Sequence, residues 1–499
     1  MVPEETAMSG DAQELMWRQL LLPLERGSTP LQLQLRSRLV NAMLDGRLAA
    51  GLRLPSGREL AAWAGLSRNT VVLVYDRLVE EGHLESRQRE GYFVRGSFGR
   101  EAPRALASTA APAAPDWSRH LGPAAPFRWL DRPAGWQTLP YPFVFGQFDA
   151  SLFPLAEWRE CSRQALQAQA LPDWAHDIPG NDCPELIEQL IHRVLPRRGI
   201  AATPGQILLT LGTQHGLYLL GELFGRPGCR LGVENPGYMD VRNIFGRFGG
   251  DILPLPVDSE GLQIGPALAG CRYLYCTPSH QCPTGVTLST ERRLALLAHA
   301  AEHDQIVFED DYDPETQYQG QPLPALKAID RADRVIYLGS FSKLLSPGLR
   351  LGYVVAPTEV IERLRVLRRL MVRQAPGNNP LAAAFFIREG HYDRLLQNTR
   401  NALAERAGLL VAALRRHLPE ARFTPPQGGS GLWLALPGTA DPGALREAAF
   451  RRGVLYDPGE PFFQQPAAST CLRLGFSSIR PAAIDAGIRE LAAALASLG

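Results

Sequence analysis

Lysine is nearly missing from this chain. Of 52 basic residues only Lys327 and Lys343 are lysine, and the rest are arginine. A guanidinium stays protonated and cannot form an imine, whereas a lysine amine can lose its proton and attack a carbonyl. A chain so biased keeps a lysine chiefly where arginine cannot serve. Cysteine is sparse and unpatterned: seven residues, at positions 161, 183, 229, 271, 276, 282 and 471, with no CxxC pair. The odd set indicates neither a disulfide framework nor a zinc site, and it suits reduced thiols in the cytoplasm. Long hydrophobic runs are absent too. No apolar stretch approaches the ~18 residues that span a bilayer, so no membrane partner is expected. The N-terminus lacks the basic, apolar, small order of a secretory signal. Net charge is almost nil, at +1. That excludes a polyanion binder throughout, but leaves room for one basic domain on a neutral body.

What is present is an ordinary globular composition, 45% hydrophobic and 21% charged. Its 499 residues imply about two to four domains. Residues 1–28 form an N-terminal extension in which Ala12–Leu24 can make a short amphipathic helix. Residues 29–97 carry helical periodicity with a strand-like end. Residues 98–138 fill with Ala and Pro, as in the run 105–115, and read as a semi-extended linker. From residue 139 to the end, short apolar segments alternate with helical ones. The strand candidates are Ile207–Thr210, Arg230–Val233, Tyr273–Cys276, Ile306–Glu309, Val335–Leu338 and Gly352–Val355. Such alternation implies a largely parallel sheet with crossover helices, and the part beyond about Pro380 can form a smaller α+β lobe.

Within 29–97, Leu31–Leu44 gives one helix. Ser56 can cap a second, Ala64-Gly65-Leu66 turns the chain, and Ser67 can cap a third over Arg68–Glu81. Val71, Val74 and Leu78 recur at helical spacing and face inward. Arg68, Asn69 and Thr70 crowd the first turn, where a recognition helix meets base edges. Residues 82–85 and 89–94 read as a hairpin. Residues 30–97 hold ten Arg and seven acids, a net +3. Taken alone this pattern also fits a three-helix packing module. The segments Leu54-Pro55-Ser56-Gly57-Arg58-Glu59-Leu60-Ala61 and Ser67-Arg68-Asn69-Thr70-Val71 resemble the winged helix-turn-helix of GntR-type regulators. By that resemblance Arg58, Ser67, Arg68, Asn69 and Thr70 contact a double-stranded DNA operator, with Gly91 at the wing tip. Val72 stands where some members carry an arginine.

In the last third, Lys343 lies in Gly339-Ser340-Phe341-Ser342-Lys343-Leu344-Leu345-Ser346-Pro347-Gly348-Leu349-Arg350. This run resembles the Schiff-base lysine segment of aminotransferase-fold, pyridoxal-phosphate-dependent proteins; Lys327 has no such setting and reads as solvated. Pyridoxal phosphate needs an amine, a counter-charge for its ring nitrogen, a partner for its phenolic oxygen and a cradle for its phosphate. Asp310 and Tyr312 follow an apolar strand two residues apart and suit the nitrogen and the phenolic oxygen, although an acidic cluster alone equally fits a solvated loop. Gly212, Thr213 and Gln214 follow another strand and open a helix, where free N–H groups attract an anion. Ser340 and Arg350 can add a hydroxyl and a guanidinium, and the resemblance adds Tyr238. The loop Pro278-Ser279-His280-Gln281-Cys282-Pro283-Thr284-Gly285 resembles the loop beside the ring in MocR-type proteins. Arg473 looks like the arginine that binds an amino-acid carboxylate, a structural salt bridge being its plain alternative.

Together these segments resemble the MocR subfamily of GntR regulators: a winged helix-turn-helix, a linker, and a fold type I aminotransferase-like α/β domain with a smaller C-terminal lobe. The resemblance implies a homodimer that holds pyridoxal phosphate as an aldimine on Lys343 and senses an amine, an amino acid or the cofactor itself. A working aminotransferase with an accessory DNA-binding domain is the alternative. Some positions depart from the pattern. Cys282 replaces the usual Asn, Ile187 an arginine, and Phe148 a proline, which leaves the lysine chemistry intact but puts efficient turnover and tight cofactor retention in question.

Overall fold

The computed structural model describes residues 10–21, 24–25, 27, 29–96, 114–122, 127, 129–167, 169, 172, 174, 176, 180–313, 315–437, 441–465 and 470–498. Much of the expected linker, the first part of the extension, and Ile178 and Pro179 lie outside them. The chain divides into two compact units, up to 122 and from 123 onward.

In the first unit, serine caps fix where the third and fourth helices begin. Helix α1 is Gly10–Leu21, α2 Leu31–Leu44, α3 Gly57–Ala64 and α4 Arg68–Glu80. Ser56 caps α3 in a full capping box: its hydroxyl accepts from Glu59 N at 3.3 Å, and Glu59 Oε2 accepts from Ser56 N at 2.8 Å. Gly65 ends α3 at φ 65°, a left-handed turn that glycine adopts without strain. Ser67 then caps α4, accepting from Thr70 N at 3.1 Å. Strands β1 (Leu84–Arg87) and β2 (Gly91–Val94) pair antiparallel as the expected hairpin. Leu35, Leu39, Leu60, Val71, Val74 and Leu78 share one core, which Trp17 and Leu21 of α1 also enter. The expected amphipathic stretch thus joins this core through Met16, Trp17, Leu20, Leu21 and Leu24.

The second unit is built on an eight-stranded sheet among the described residues. Its strands are β4 (Ile207–Thr210), β5 (Arg230–Asn235), β6 (Asp251–Asp258), β7 (Gly261–Leu262), β8 (Tyr273–Cys276), β9 (Ile306–Asp311), β10 (Val335–Ser340) and β11 (Gly352–Val355), β3 being Tyr141–Phe143 elsewhere. The order is β4-β11-β10-β9-β8-β5-β6-β7. The five from β10 to β6 run parallel, whereas β11 lies antiparallel between β10 and β4. β9 and β10 are buried along nearly their whole length, as strands covered on both faces must be. A second sheet joins β12 (Arg422–Phe423), β13 (Gly431–Ala435), β15 (Cys471–Gly475), β14 (Val454–Pro458) and β3, and packs with the long helix His391–His417 and the helix Pro481–Ala496 around its own core.

One expectation fails here. Lys327 is not solvated: its side chain is 9% exposed and its Nζ pairs with Asp333 at 3.2 Å. The stem packs down while the charge meets a carboxylate.

Candidate functional site

In the first unit the candidate DNA residues gather around the start of α4. Arg58, Ser67, Arg68 and Asn69 are exposed and Thr70 is half-buried. Arg58, Arg68 and Asn69 make no side-chain hydrogen bond or ion pair among the described residues, so their donors are free for a partner. Ser67 and Thr70 are different, because their hydroxyls bond each other at 2.8 Å. Gly91 does not form the wing tip itself. It pairs with Arg87 at the foot of a turn over 88–90, and the left-handed residue at the tip is Arg89, at φ 67°. Gly91 has φ 110°, and a Cβ there would lie 3.7 Å from Arg53 Nε.

In the second unit the strand order sets the chemistry. Parallel neighbours β9 and β10 end on the same side, and their carboxyl ends deliver Asp310 and the segment leading to Lys343. Both border a cavity of about 420 Å3, together with Thr213, Gln214, Tyr238, Tyr312, Ser340, Arg350 and Arg473. Gly212 stands directly before it, as the N-cap of the helix Thr213–Phe224. The sequence-derived cofactor set is therefore brought together around one space.

Lys343 makes no hydrogen bond among the described residues, and its Nζ stands 4.4 Å from the centroid of the Phe145 ring. Burial, with some help from the Arg473 charge, lowers its pKa to about 8 against the pull of Asp313. A Cβ on Gly146, at φ 78°, would come within 2.7 Å of that amine, so glycine keeps the space open. Asp310 accepts from the Tyr275 hydroxyl at 2.7 Å through Oδ2, while its Oδ1 is buried with no partner among the described residues. Burial raises its pKa to about 7. A buried, half-satisfied carboxyl of this kind suits a ring nitrogen that carries a proton.

The anion end is built from a helix start. Gly212 has φ 80°, and a Cβ there would lie 3.0 Å from Arg350 Nη2. Arg350 donates to the Leu211 carbonyl at 2.6 Å. Tyr238 donates to Gln214 Oε1 at 2.9 Å and lies 3.1 Å from Asp240 Oδ2. The Tyr312 hydroxyl is 2.8 Å from the His280 carbonyl and 3.4 Å from Arg473 Nη2, so donating to a phenolic oxygen means turning its proton from His280.

Arg473 is buried on β15 with its guanidinium carbon 3.2 Å from the Phe145 ring centroid. Its polar contacts are long, to Cys282 Sγ at 3.5 Å and to Tyr312, and its Nε has none. No ion pair satisfies it among the described residues, so the plain reading of Arg473 as a structural salt bridge does not hold. A buried, unpaired cation calls for an anion.

Several site residues were invisible in the sequence. Arg132 lies in the segment read as linker, yet its Nη2 donates to the Phe145 carbonyl at 3.0 Å and approaches Asp457 Oδ1 at 3.6 Å. Asp457 in turn accepts from Phe145 N at 3.2 Å. Phe145 thus has its backbone held by Arg132 and Asp457 and its ring against two cations. Contacts across such sequence distances leave no periodic signal; Tyr275 was legible only as a buried strand residue.

Two family models match the chain: bacterial regulatory proteins of the gntR family over residues 31–94, and aminotransferase class I and II over 146–491. The chain is 40% identical to the HTH-type transcriptional regulator TauR of Rhodobacter capsulatus, across 94% of this chain and 97% of that protein. It is 33% identical to the probable rhizopine catabolism regulatory protein MocR of Rhizobium meliloti, across 96% of each. Among solved structures it resembles LysN, the α-aminoadipate aminotransferase of Thermus thermophilus, complexed with N-(5'-phosphopyridoxyl)-L-leucine. That match has 31% identity and a TM-score of 0.66, and covers 72% of this chain and 92% of the other. Among the described residues no helix is long and apolar enough to cross a membrane. A gntR-type reader followed by an aminotransferase fold, matched nearly end to end by these transcriptional regulators, makes this chain a member of the MocR-type branch of the GntR family of bacterial transcriptional regulators.

Proposed function

We propose that this regulator grips a specific duplex site through its winged helix, holds pyridoxal phosphate at Lys343, and changes its DNA binding when a small amine or amino acid enters the same cavity. The observation that carries the reading is the meeting, around one cavity, of an unpaired lysine amine with a depressed pKa and a buried carboxyl oxygen without a partner. Bound there, pyridoxal phosphate supplies an aldehyde that joins amines reversibly and a ring that draws electrons.

The chain's own groups divide the remaining work. Asp310 holds a proton on the ring nitrogen, and the pairing draws its own pKa back down. The N–H groups opening the helix at Thr213, with Gln214, Ser340 and Arg350, take the phosphate. Lys343 offers a neutral amine and accepts the proton of an incoming ammonium. Arg473 receives the effector's acidic group, which must displace the Phe145 face now covering the guanidinium. Because Arg132 and Asp457 hold the Phe145 backbone, that displacement acts on the segment leading back toward the unit boundary at 122. The family's fold supports a homodimer as the working form.

The test uses protein saturated with the vitamer. Borohydride reduction and peptide mapping should leave the pyridoxyl mass on Lys343, and unreduced, intact protein from the same preparation should change its duplex mobility with one class of amine. A tag on another residue, or none at all, sinks the cofactor reading. Sustained turnover of an amino donor and a 2-oxo acid, with DNA binding unmoved, would replace sensing by catalysis.

A further inference from the structure

The recognition helix carries an apolar side chain that none of the roles above uses. α4 packs against α2 and α3 through Val71, Val74, Tyr75 and Leu78. With 3.6 residues per turn, the opposite side of the helix is carried by Asn69, Leu73, Asp76 and Glu80, all of them exposed. Leu73 is 58% exposed and belongs to no hydrophobic cluster. Asn69 stands one turn before it and makes no side-chain hydrogen bond among the described residues, so the two exposed side chains are neighbours on that face.

Charge then fixes how deep this face can go. Asp76 accepts from the Tyr92 hydroxyl at 2.9 Å, and Glu80 follows one turn later. Two carboxylates on the outer face repel phosphates, so the helix can enter a groove only by its first turns, with Arg68, Asn69 and Leu73 leading. In a major groove the apolar feature of a base pair is the thymine C5-methyl, and the carboxamide fork matches adenine N6 and N7. Side chains four residues apart on one face reach neighbouring base pairs.

We infer that Leu73 is a base-reading residue. It packs on a thymine methyl while Asn69 reads an adjacent adenine, so each half-site contains an A·T-bearing step under the start of α4. The inference rests on the DNA reading proposed above.

The full chain, saturated with pyridoxal phosphate, is used to select duplexes from a random library at fixed salt. Each thymine of the selected half-site is then replaced singly by deoxyuridine, which keeps the pairing and removes only the methyl. One position per half-site should weaken binding about fourfold, the equivalent of one buried carbon. Leu73→Ala, which removes the contact in both half-sites of a dimer, should bind the thymine duplex as weakly as the wild-type chain binds a duplex carrying deoxyuridine at that position in both half-sites, and show no further loss on that substituted duplex. Because Leu73 lies outside the core, an unchanged melting temperature checks that the variant is folded. Tolerance of deoxyuridine at every position, a half-site without thymine, or equal penalties in both proteins overturns the assignment. Failure of the wild-type chain to select any sequence would instead remove the DNA reading itself.

Discussion

Lys343 meets two opposing demands, since an amine must be buried to lose its proton easily yet open to a carbonyl. The structure reconciles them by leaving it without a hydrogen-bonding partner among the described residues, in a cavity edged by Gly146. A nucleophilic amine reacts only when neutral, and the lowered pKa of about 8 places that change near physiological pH. The rate of pyridoxal phosphate attachment should rise about tenfold per pH unit below that value and level off above it, as a stopped-flow pH series would record. Lys343→Ala should abolish the reducible attachment while leaving DNA affinity without effector largely intact; equal loss of both, read by peptide mapping and mobility shift, would mean that the cofactor serves folding. Arg473→Ala should weaken effector affinity about 10- to 100-fold, the range for a charged hydrogen-bonded contact, without releasing the cofactor. Of these groups, Lys343, Asp310 and Arg473 were legible because each sits in a motif with a rare residue type or a strand-end position. Arg132, Phe145 and Asp457 were not, because their meaning arises only from β3 lying beside β14.

Elements decide how rigidly those side chains are held. Strands β8 to β10 were readable nearly to the residue, since a strand covered on both faces is a short unbroken apolar run. β6 was missed because Pro254 and Pro256 lie inside it and proline is confined to sheet margins; only the two-residue β7 lies beyond it. The antiparallel setting of β11 was hidden as well, because a four-residue apolar strand looks alike in either direction. At the start of the helix Thr213–Phe224, Gly212→Ala should strain the left-handed backbone and push a methyl toward Arg350. Weaker retention of pyridoxal phosphate, followed by dialysis and residual absorbance, is the expected result. In the first unit, Ser56→Ala removes the capping box of α3 and should cost about 1 kcal/mol, lowering the melting transition of that unit.

Across the whole molecule, a gntR-type reader and an aminotransferase-like unit share one chain, and Arg132 stands on the first stretch of the second unit after the boundary. Arg132→Ala should therefore leave the effector-induced spectral change in place but blunt its effect on duplex mobility; parallel loss of both would show that Arg132 merely shapes the cavity. The order of the two units was legible from composition and motifs, whereas this link across the second unit was not. The scarcity of lysine has a last consequence. Every basic side chain from 29 to 97, histidine apart, is an arginine, a group that keeps its charge through any ordinary alkaline buffer. On the proposed function, the grip on nucleic acid is tuned by ionic strength and scarcely by alkalinity, while the capture of amines follows alkalinity. An experimenter holds two independent dials, one for each half of the protein.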